Sequence, residues 1–392
     1  MNLPNYSVAR ILVSLAGLLV WPGKHANATE CGDDAILLEQ AFGSGAAWSL
    51  CAHVDEHHAL EITAVHYRTP GGISRSVIKQ AHVGQILLHY HDETEPRAQI
   101  NDDSQSRVLA MNANNCDGLP LLDNDSVMTL CSRLHDNRIL AKYAQRPGLQ
   151  SQRWELSSAF QREGLVWAIS LSLTEDGQIT PAVTLSGRAR EKLAGIAFTT
   201  TLPASRRNLA RATVLANWRV VFDLDTDAYD QVQQFDFVLN SSLGNRRPMQ
   251  VIDLNTELFT TVDRNNFRGW RISDPEGGSY YLDPSNSGFN FGGYAHNWAK
   301  FDVALTRYKP CERHASNNTP SSNEISTVPC GNSLDEFVNG ENLQDAHPVL
   351  WFSQSRTFNP TNEDWPVISN FYQSFTLLPY DWTPSSPFEV VE

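Results

Sequence analysis

A large antiparallel β-sandwich is the fold that this sequence predicts, and three observations predict it. Aromatic residues make up 10% of the 392-residue chain, ten of them Trp, and aromatic and β-branched side chains fit a pleated, half-buried surface. Short apolar runs recur with period-2 alternation, the signature of strands with one face buried. Turn-rich connectors separate the runs, for example SDPEGG (273–278) and DPSNSG (283–288).

The elements follow in order. Strands are expected in HALEITAVHYR (58–68), QILLHYHD (85–92), LVWAISLSL (165–173), NWRVVFDLD (217–225), FDVALTRY (301–308), PVLWFSQS (348–355) and SFTLLP (374–379). The clearest alternation sets Trp218, Val220, Phe222 and Leu224 against Arg219, Val221, Asp223 and Asp225. Helix is sparse: DDAILLEQAF (33–42) and SLDEFVN (333–339) are the best short candidates. Many short strands with Gly, Pro and Asn punctuation suit one large sandwich domain over residues 29–392.

Residues 1–28 read as a signal peptide. Arg10 precedes the apolar run ILVSLAGLLVW (11–21), and Ala26-Asn27-Ala28 makes an A-x-A cleavage pattern. A secreted or periplasmic protein is expected. Six cysteines agree with an oxidising compartment. They fall in sequential couples, Cys31 and Cys51, Cys116 and Cys131, Cys311 and Cys330, although fifteen connectivities are open to six cysteines. Sequons at Asn124, Asn240 and Asn317 suit surface loops of a glycoprotein. The formal net charge of -14 argues against nucleic acid and anionic membrane as partners, because both need cationic surface. No segment after the apolar run is long enough to span a bilayer.

Three stretches carry metal-ligand residue types. His89-Tyr90-His91-Asp92 is an H-x-H pair whose imidazoles would share a strand face. The plain alternative is a half-exposed strand whose Tyr90 faces the core. HVDEH (53–57) matches the H-x-x-E-H pattern of inverted zinc peptidases, but that chemistry needs a helix and the neighbourhood is strand-like. His58 follows it and adds nothing specific. DLDTD (223–227) offers oxygen ligands without an EF-hand's glycine and terminal Glu.

The C-terminal third carries a family resemblance. TRYKPCERH (306–314), VLWFSQS (349–355) and NEDWPVI (362–368) follow one another as do the T-R-Y-x-P-x-E-R, V-x-W and E-[DE]-W-P-[IV] stretches of the copper amine oxidase catalytic domain. WRISDP (270–275), YYLDP (280–284), NNCDGLPLLDN (114–124), CSRLHDNRILAKY (131–143), RWELSSAF (153–160) and TEDGQI (174–179) resemble its earlier segments. The resemblance covers roughly residues 45–390. It implies a homodimeric antiparallel sandwich and a Cys116–Cys131 bridge. In that family the domain oxidises primary amines, using a topaquinone made from a tyrosine, a copper held by three His and an aspartate base.

Carried over position by position, the resemblance puts Leu165 where the cofactor tyrosine would stand. It puts Ala212, Val214 and Phe358 where the three copper imidazoles would stand. Tyr90 and Asp92 match the family's V-P-Y-G-D strand. Asp102 or Asp103 is the candidate acid or base, although the family's Gly-Glu signature is missing there. The expectation is therefore an exported relative with no copper or quinone cofactor. It would be a repurposed non-redox enzyme, such as a cyclase, lyase or isomerase. Its small-molecule substrate would occupy the former amine pocket, lined by Leu165, Trp167, Ala212, Val214 and Phe358. The alternatives are a non-catalytic binding or partner protein, and a true oxidase whose register has been misjudged.

Overall fold

The structure, a computed structural model, describes residues 31–388 apart from 33, 56, 101–105, 123–126, 140–149, 194, 226–227, 285–295, 319–329 and 384–387. Two antiparallel sheets dominate. One has nine strands, in the order Ile36–Ala41, Ala47–His53, Glu61–Arg68, Ser74–Tyr90, Ala212–Phe222, Pro348–Phe358, Val303–Arg307 and Leu258–Thr260, with Arg97–Ala98 beside Ser74–Tyr90. The other has twelve and includes Leu165–Thr174, hydrogen-bonded between Gln150–Arg162 and Ile179–Arg188.

One continuous apolar core lies between the sheets. Trp48, Val65, Val83, Ile86 and Val220 enter it from the nine-stranded sheet, and Trp154, Trp167, Ile169 and Val183 from the twelve-stranded one. Polar tips of core aromatics cross the gap: Trp48 Nε1 donates to Thr174 O at 2.8 Å and Tyr67 OH to Glu175 O at 2.8 Å. Such bonds meet the requirement that buried polar groups find partners.

The expected strands all form. Residues 36–41 depart from the expectation of a helix within 33–42: Ile36–Ala41 is an edge strand paired with Ala47–His53. Ile36 and Leu38 lean on the core while Leu37 and Glu39 face out, a period-2 pattern that sheet pairing rewards and a helix does not. The short helix Leu334–Phe337 falls where expected. All three sequential cysteine couples are bridged: Cys31–Cys51, Cys116–Cys131 and Cys311–Cys330. Among the described residues no helix is long and apolar enough to cross a membrane.

Two departures from simple alternation shape the outer face of the nine-stranded sheet. Asn217 pairs with Gln85 but Trp218 pairs with Val83, so Gly84 is an extra, bulged residue. A bulge reverses the facing of everything beyond it. Ala81 and Val83 point inward before Gly84, and Ile86, Leu88 and Tyr90 after it. A Cβ at Gly84 would lie 2.7 Å from Asn217 Oδ1 and 2.9 Å from the Trp351 ring. The second departure is a covering layer. Residues 308–318 and 330–338, joined by Cys311–Cys330, lie over this face. Ala315 N donates to Gly84 O at 3.2 Å, and Ala315, Leu334 and Phe337 pack with Leu87, Leu215, Val221 and Trp351.

Candidate functional site

The positions that the resemblance assigns to copper and quinone are core. Ala212 pairs directly with Tyr90 on one side and Phe358 on the other, with Val214 two residues along, so the structure does bring Ala212, Val214 and Phe358 together. Leu165, Trp167, Ala212, Val214 and Phe358 all belong to the inter-sheet core, and none is more than 8% exposed. A copper ion does not fit these positions: methyl, isopropyl and phenyl groups have no lone pair to offer, and an isobutyl group at 165 has no ring. Asp102 and Asp103 lie outside the described residues, as do residues 1–28, Asn124 and Glu56. Asn317 is exposed, and Asn240 caps a short turn by accepting from Ser242 N at 3.0 Å.

The His89/His91 stretch is a strand end with Tyr90 in the core. His89 Nε2 meets Glu93 O at 3.0 Å and His91 Nε2 meets Thr213 Oγ1 at 2.9 Å. Asp92 is paired with Lys192. In the acidic run, Asp223 faces His347 at 3.5 Å and Asp225 faces Arg75 at 3.5 Å.

The chemistry-bearing groups gather elsewhere, on the outer face under the covering layer. The turn between Ala47–His53 and Glu61–Arg68 is built by Asp55. Its Oδ1 accepts from the amides of His57 at 2.9 Å and His58 at 2.6 Å, and its backbone oxygen accepts from Ala59 N at 3.0 Å. Asp favours such turns because its short carboxylate can capture amides two and three residues on. The turn delivers His58, 4% exposed, onto the sheet. Its Nδ1 lies 3.0 Å from Asp55 Oδ2 and 3.8 Å from Glu61 Oε2. His82, on the neighbouring strand, comes edge-on to His58 with ring centroids 4.5 Å apart. His314, from the covering layer, stacks on His58 at 4.8 Å with 18° between planes.

Around this group the network continues. Arg313 Nη2 donates to Glu61 Oε2 at 2.5 Å, and Gln80 donates to the other Glu61 oxygen. Arg219 has no exposed surface. It donates to Gln80 Oε1 at 2.6 Å and lies 5.5 Å from the Tyr308 ring and 5.6 Å from that of Trp351. Gln85 donates to Ser316 Oγ at 3.0 Å while its Oε1 accepts from Ile86 N at 2.9 Å, which ties the bulge to the cover.

The electrostatics divide the group in two. A hydrogen bond to Asp55 lifts His53 to about 9, against burial. Burial pushes the Asp55 carboxyl up, but the neighbouring His58 and the hydrogen bonds from His53 and His58 outweigh it and hold the group well below the usual carboxylate range. Burial keeps His82 and His314 well below the ordinary imidazole value, helped by His58 and Arg313. Burial raises Glu312 to about 7 against the pull of Lys309, 3.3 Å away, and lowers Arg219 to about 10. At neutral pH a carboxylate therefore backs one imidazole while two uncharged imidazoles stand against it. Such an array can accept or hand on a proton, or ligate a cation.

Sequence reading singled out HVDEH but gave His58 no role. His82 and His314 are 24 and 256 residues away along the chain, and only the sheet and its cover unite them. The signal that could have found them is weak: His82 stands on a strand face with Gln80, and His314 follows the CER of TRYKPCERH.

Comparison with known proteins agrees with the fold. Residues 223–391 match the sequence model of the family described as copper amine oxidase, enzyme domain. That stretch, somewhat less than half of the chain, is similar to the copper amine oxidase enzyme domain. The copper-containing benzylamine oxidase from Hansenula polymorpha superposes with a TM-score of 0.71 at 15% identity, over 89% of this chain and 61% of that one. The Aspergillus nidulans amine oxidase gives 0.66 at 15%, over 97% and 56%, and Pichia pastoris lysyl oxidase 0.66 at 13%, over 87% and 52%. The chain thus spans 52–61% of these structures' lengths. No curated protein matches the sequence.

Proposed function

We infer that this copper amine oxidase-like protein is exported, has given up amine oxidation, and handles a small polar molecule by non-redox acid–base chemistry at the outer-face imidazole–carboxylate site. The observation that carries the reading is the contrast in donor atoms. The positions that the resemblance assigns to the redox centre carry only Ala212, Val214, Phe358 and Leu165, all apolar and buried in the core, whereas Asp55, His58, His82 and His314 gather under the cover. A His held at Nδ1 by a carboxylate is oriented to take a proton at Nε2. Arg313, which donates to Glu61, holds the neighbouring carboxylate in place. Cyclisation, elimination and isomerisation of such a molecule need no oxidant. The three disulfides support an oxidising compartment.

Two measurements test this. Protein expressed with copper is expected to hold less than about 0.1 equivalent of it at the assigned centre, to give no quinone stain and to release no peroxide with a panel of primary amines; stoichiometric copper with a quinone overturns the reading. Mass spectrometry of small molecules retained by the purified chain is expected to find one whose retention is lost in His58→Ala.

A second reading, a partner protein that associates with itself or with an active relative, is favoured by one surface. The edge strand Met249–Asp253 is exposed along its whole length, and Met249, Val251 and Ile252 stand out from it. Long exposed apolar edges invite pairing. A dimer by light scattering that Val251→Lys dissociates would support it, and a monomer would remove it.

A further inference from the structure

We propose that residues 188–211 form a docking surface for an anionic lipid bilayer, in which an exposed apolar crossing, residues 193–198, enters the lipid and the arginines around it meet the headgroups. None of the imidazole–carboxylate residues takes part.

The local charge reverses that of the molecule. The chain carries a formal -14, which as an average argues against an anionic partner. Residues 188–211 nevertheless hold Arg188, Arg190, Lys192, Arg206, Arg207 and Arg211 against the single acidic Glu191. Arg190, Lys192 and Arg207 are paired with Glu93, Asp92 and Glu191. Arg188, Arg206 and Arg211 are exposed and form no ion pair among the described residues. Backbone register places these cations around the crossing. A small three-stranded sheet has the order Glu191–Lys192, Asn208–Ala210, Thr199–Thr201, with Lys192 opposite Asn208 and Thr199 opposite Ala210. Residues 193–198 therefore cross the sheet from the corner beside Arg206 and Arg207 to the corner beside Arg211, whose amide donates to Phe198 O at 3.1 Å.

The crossing itself is apolar and uncovered. Leu193 is 79% exposed, Ile196 39% and Phe198 57%. Phe198 also has a φ of 62°, a region that bulky side chains rarely enter. Thr199 Oγ1, donating to Ile196 O at 2.8 Å, and the Arg211 amide hold the backbone there. Strain that surrounding bonds maintain at an exposed aromatic points to use rather than to packing. The chemistry selects a bilayer as the occupant. A stable protein interface takes about 20–30 residues a side, far more than this crossing offers. A bilayer needs no matching shape: apolar tips sink past the headgroups while cationic side chains stay among anionic ones. A polyanion would use the arginines but leave Leu193 and Phe198 in water.

The test is co-sedimentation of the full chain with vesicles of phosphatidylcholine plus phosphatidylglycerol, and with vesicles of phosphatidylcholine alone. Binding is expected to the first, weakening as salt is added, and about 10-fold or more weaker to the second. Arg206→Gln and Arg211→Gln should each weaken binding about five-fold, as the loss of one cation near a charged surface implies. Leu193→Ser with Phe198→Ser should weaken it about 10-fold or more, with Tm unchanged in every variant. Phe198→Trp, which keeps an aromatic ring, should keep binding and add blue-shifted emission when anionic vesicles are present. Leu119→Ser, 63% exposed on another strand, should bind as the parent does. No sedimentation with anionic vesicles, equal sedimentation with neutral ones, or undiminished affinity in the Leu193→Ser, Phe198→Ser pair overturns the surface. So does a parent dimer, seen by light scattering, that the same pair dissociates, because the crossing is then a contact between copies.

Discussion

Along the strand Ser74–Tyr90, the inner face carries Ala81, Val83, Ile86, Leu88 and Tyr90, and the outer face carries Gln80, His82, Gln85, Leu87 and His89. Ala212–Phe222 beside it repeats the contrast, with Val214, Ala216, Trp218 and Val220 inside and Asn217 and Arg219 outside. Both faces are buried. The inner face is buried by another sheet and stabilised by apolar area, at about 25 cal/mol per Å². The outer face is buried by a covering layer and stabilised only if each polar group finds its partner, because an unpaired one costs about 1–3 kcal/mol. One surface thus tolerates similar shapes, and the other tolerates little change in chemistry.

Substitutions can break or sharpen that contrast. The largest effect is expected from Arg219→Ala. It removes the fully buried cation that bonds Gln80 and lies against Tyr308 and Trp351, at a cost of about 3–5 kcal/mol in chemical denaturation. Cys311→Ser with Cys330→Ser should cost about 2–4 kcal/mol and expose the covering layer to hydrogen exchange while leaving the inner strands protected. Val214→His puts an imidazole into the apolar core and should cost about 1–3 kcal/mol; a stabilised variant that bound copper would erase the distinction between the faces.

The smallest effect is read through pH. The Glu312 carboxyl is raised on folding to about 7. Its contribution is therefore fully present below the unfolded value of about 4.3 and is lost as pH rises through 7. Glu312→Gln should flatten that decline, raising Tm relative to the parent at pH 8 and not at pH 4. His82 and His314 act with the opposite sign. Their folded values are depressed, so stability present above about 6.5 falls as pH drops below it. His82→Gln should reduce that acid-side slope.

The inner face was legible in the sequence because period-2 alternation is a local signal. Trp218, Val220, Phe222 and Leu224 announce it without help from elsewhere. The motif-borne resemblance also placed Ala212 and Phe358 together, and they are cross-strand neighbours. The outer face was not legible. Arg219 reads as a solvent-facing residue until residues 308–318 are laid over it. The facing of His82 relative to His89 depends on the bulge at Gly84, which alternation does not foresee. His58 owes its position to an aspartate-built turn. The misread edge strand Ile36–Ala41 has a similar cause: alone its apolar residues suit a helix, and pairing with Ala47–His53 decides otherwise. Asp102 and Asp103, Asn124 and residues 1–28 fall outside the described residues.

Gly84 sets how closely cover and sheet approach. Its missing side chain leaves room for Asn217 and Trp351, and its carbonyl receives the amide of Ala315, next to His314. A methyl group there would press on Asn217 and Trp351, both on strands of the same sheet, so the crowding would begin in the floor and reach the roof only through the bond to Ala315. The seat of the covering layer is thus kept level by a residue that has no side chain at all.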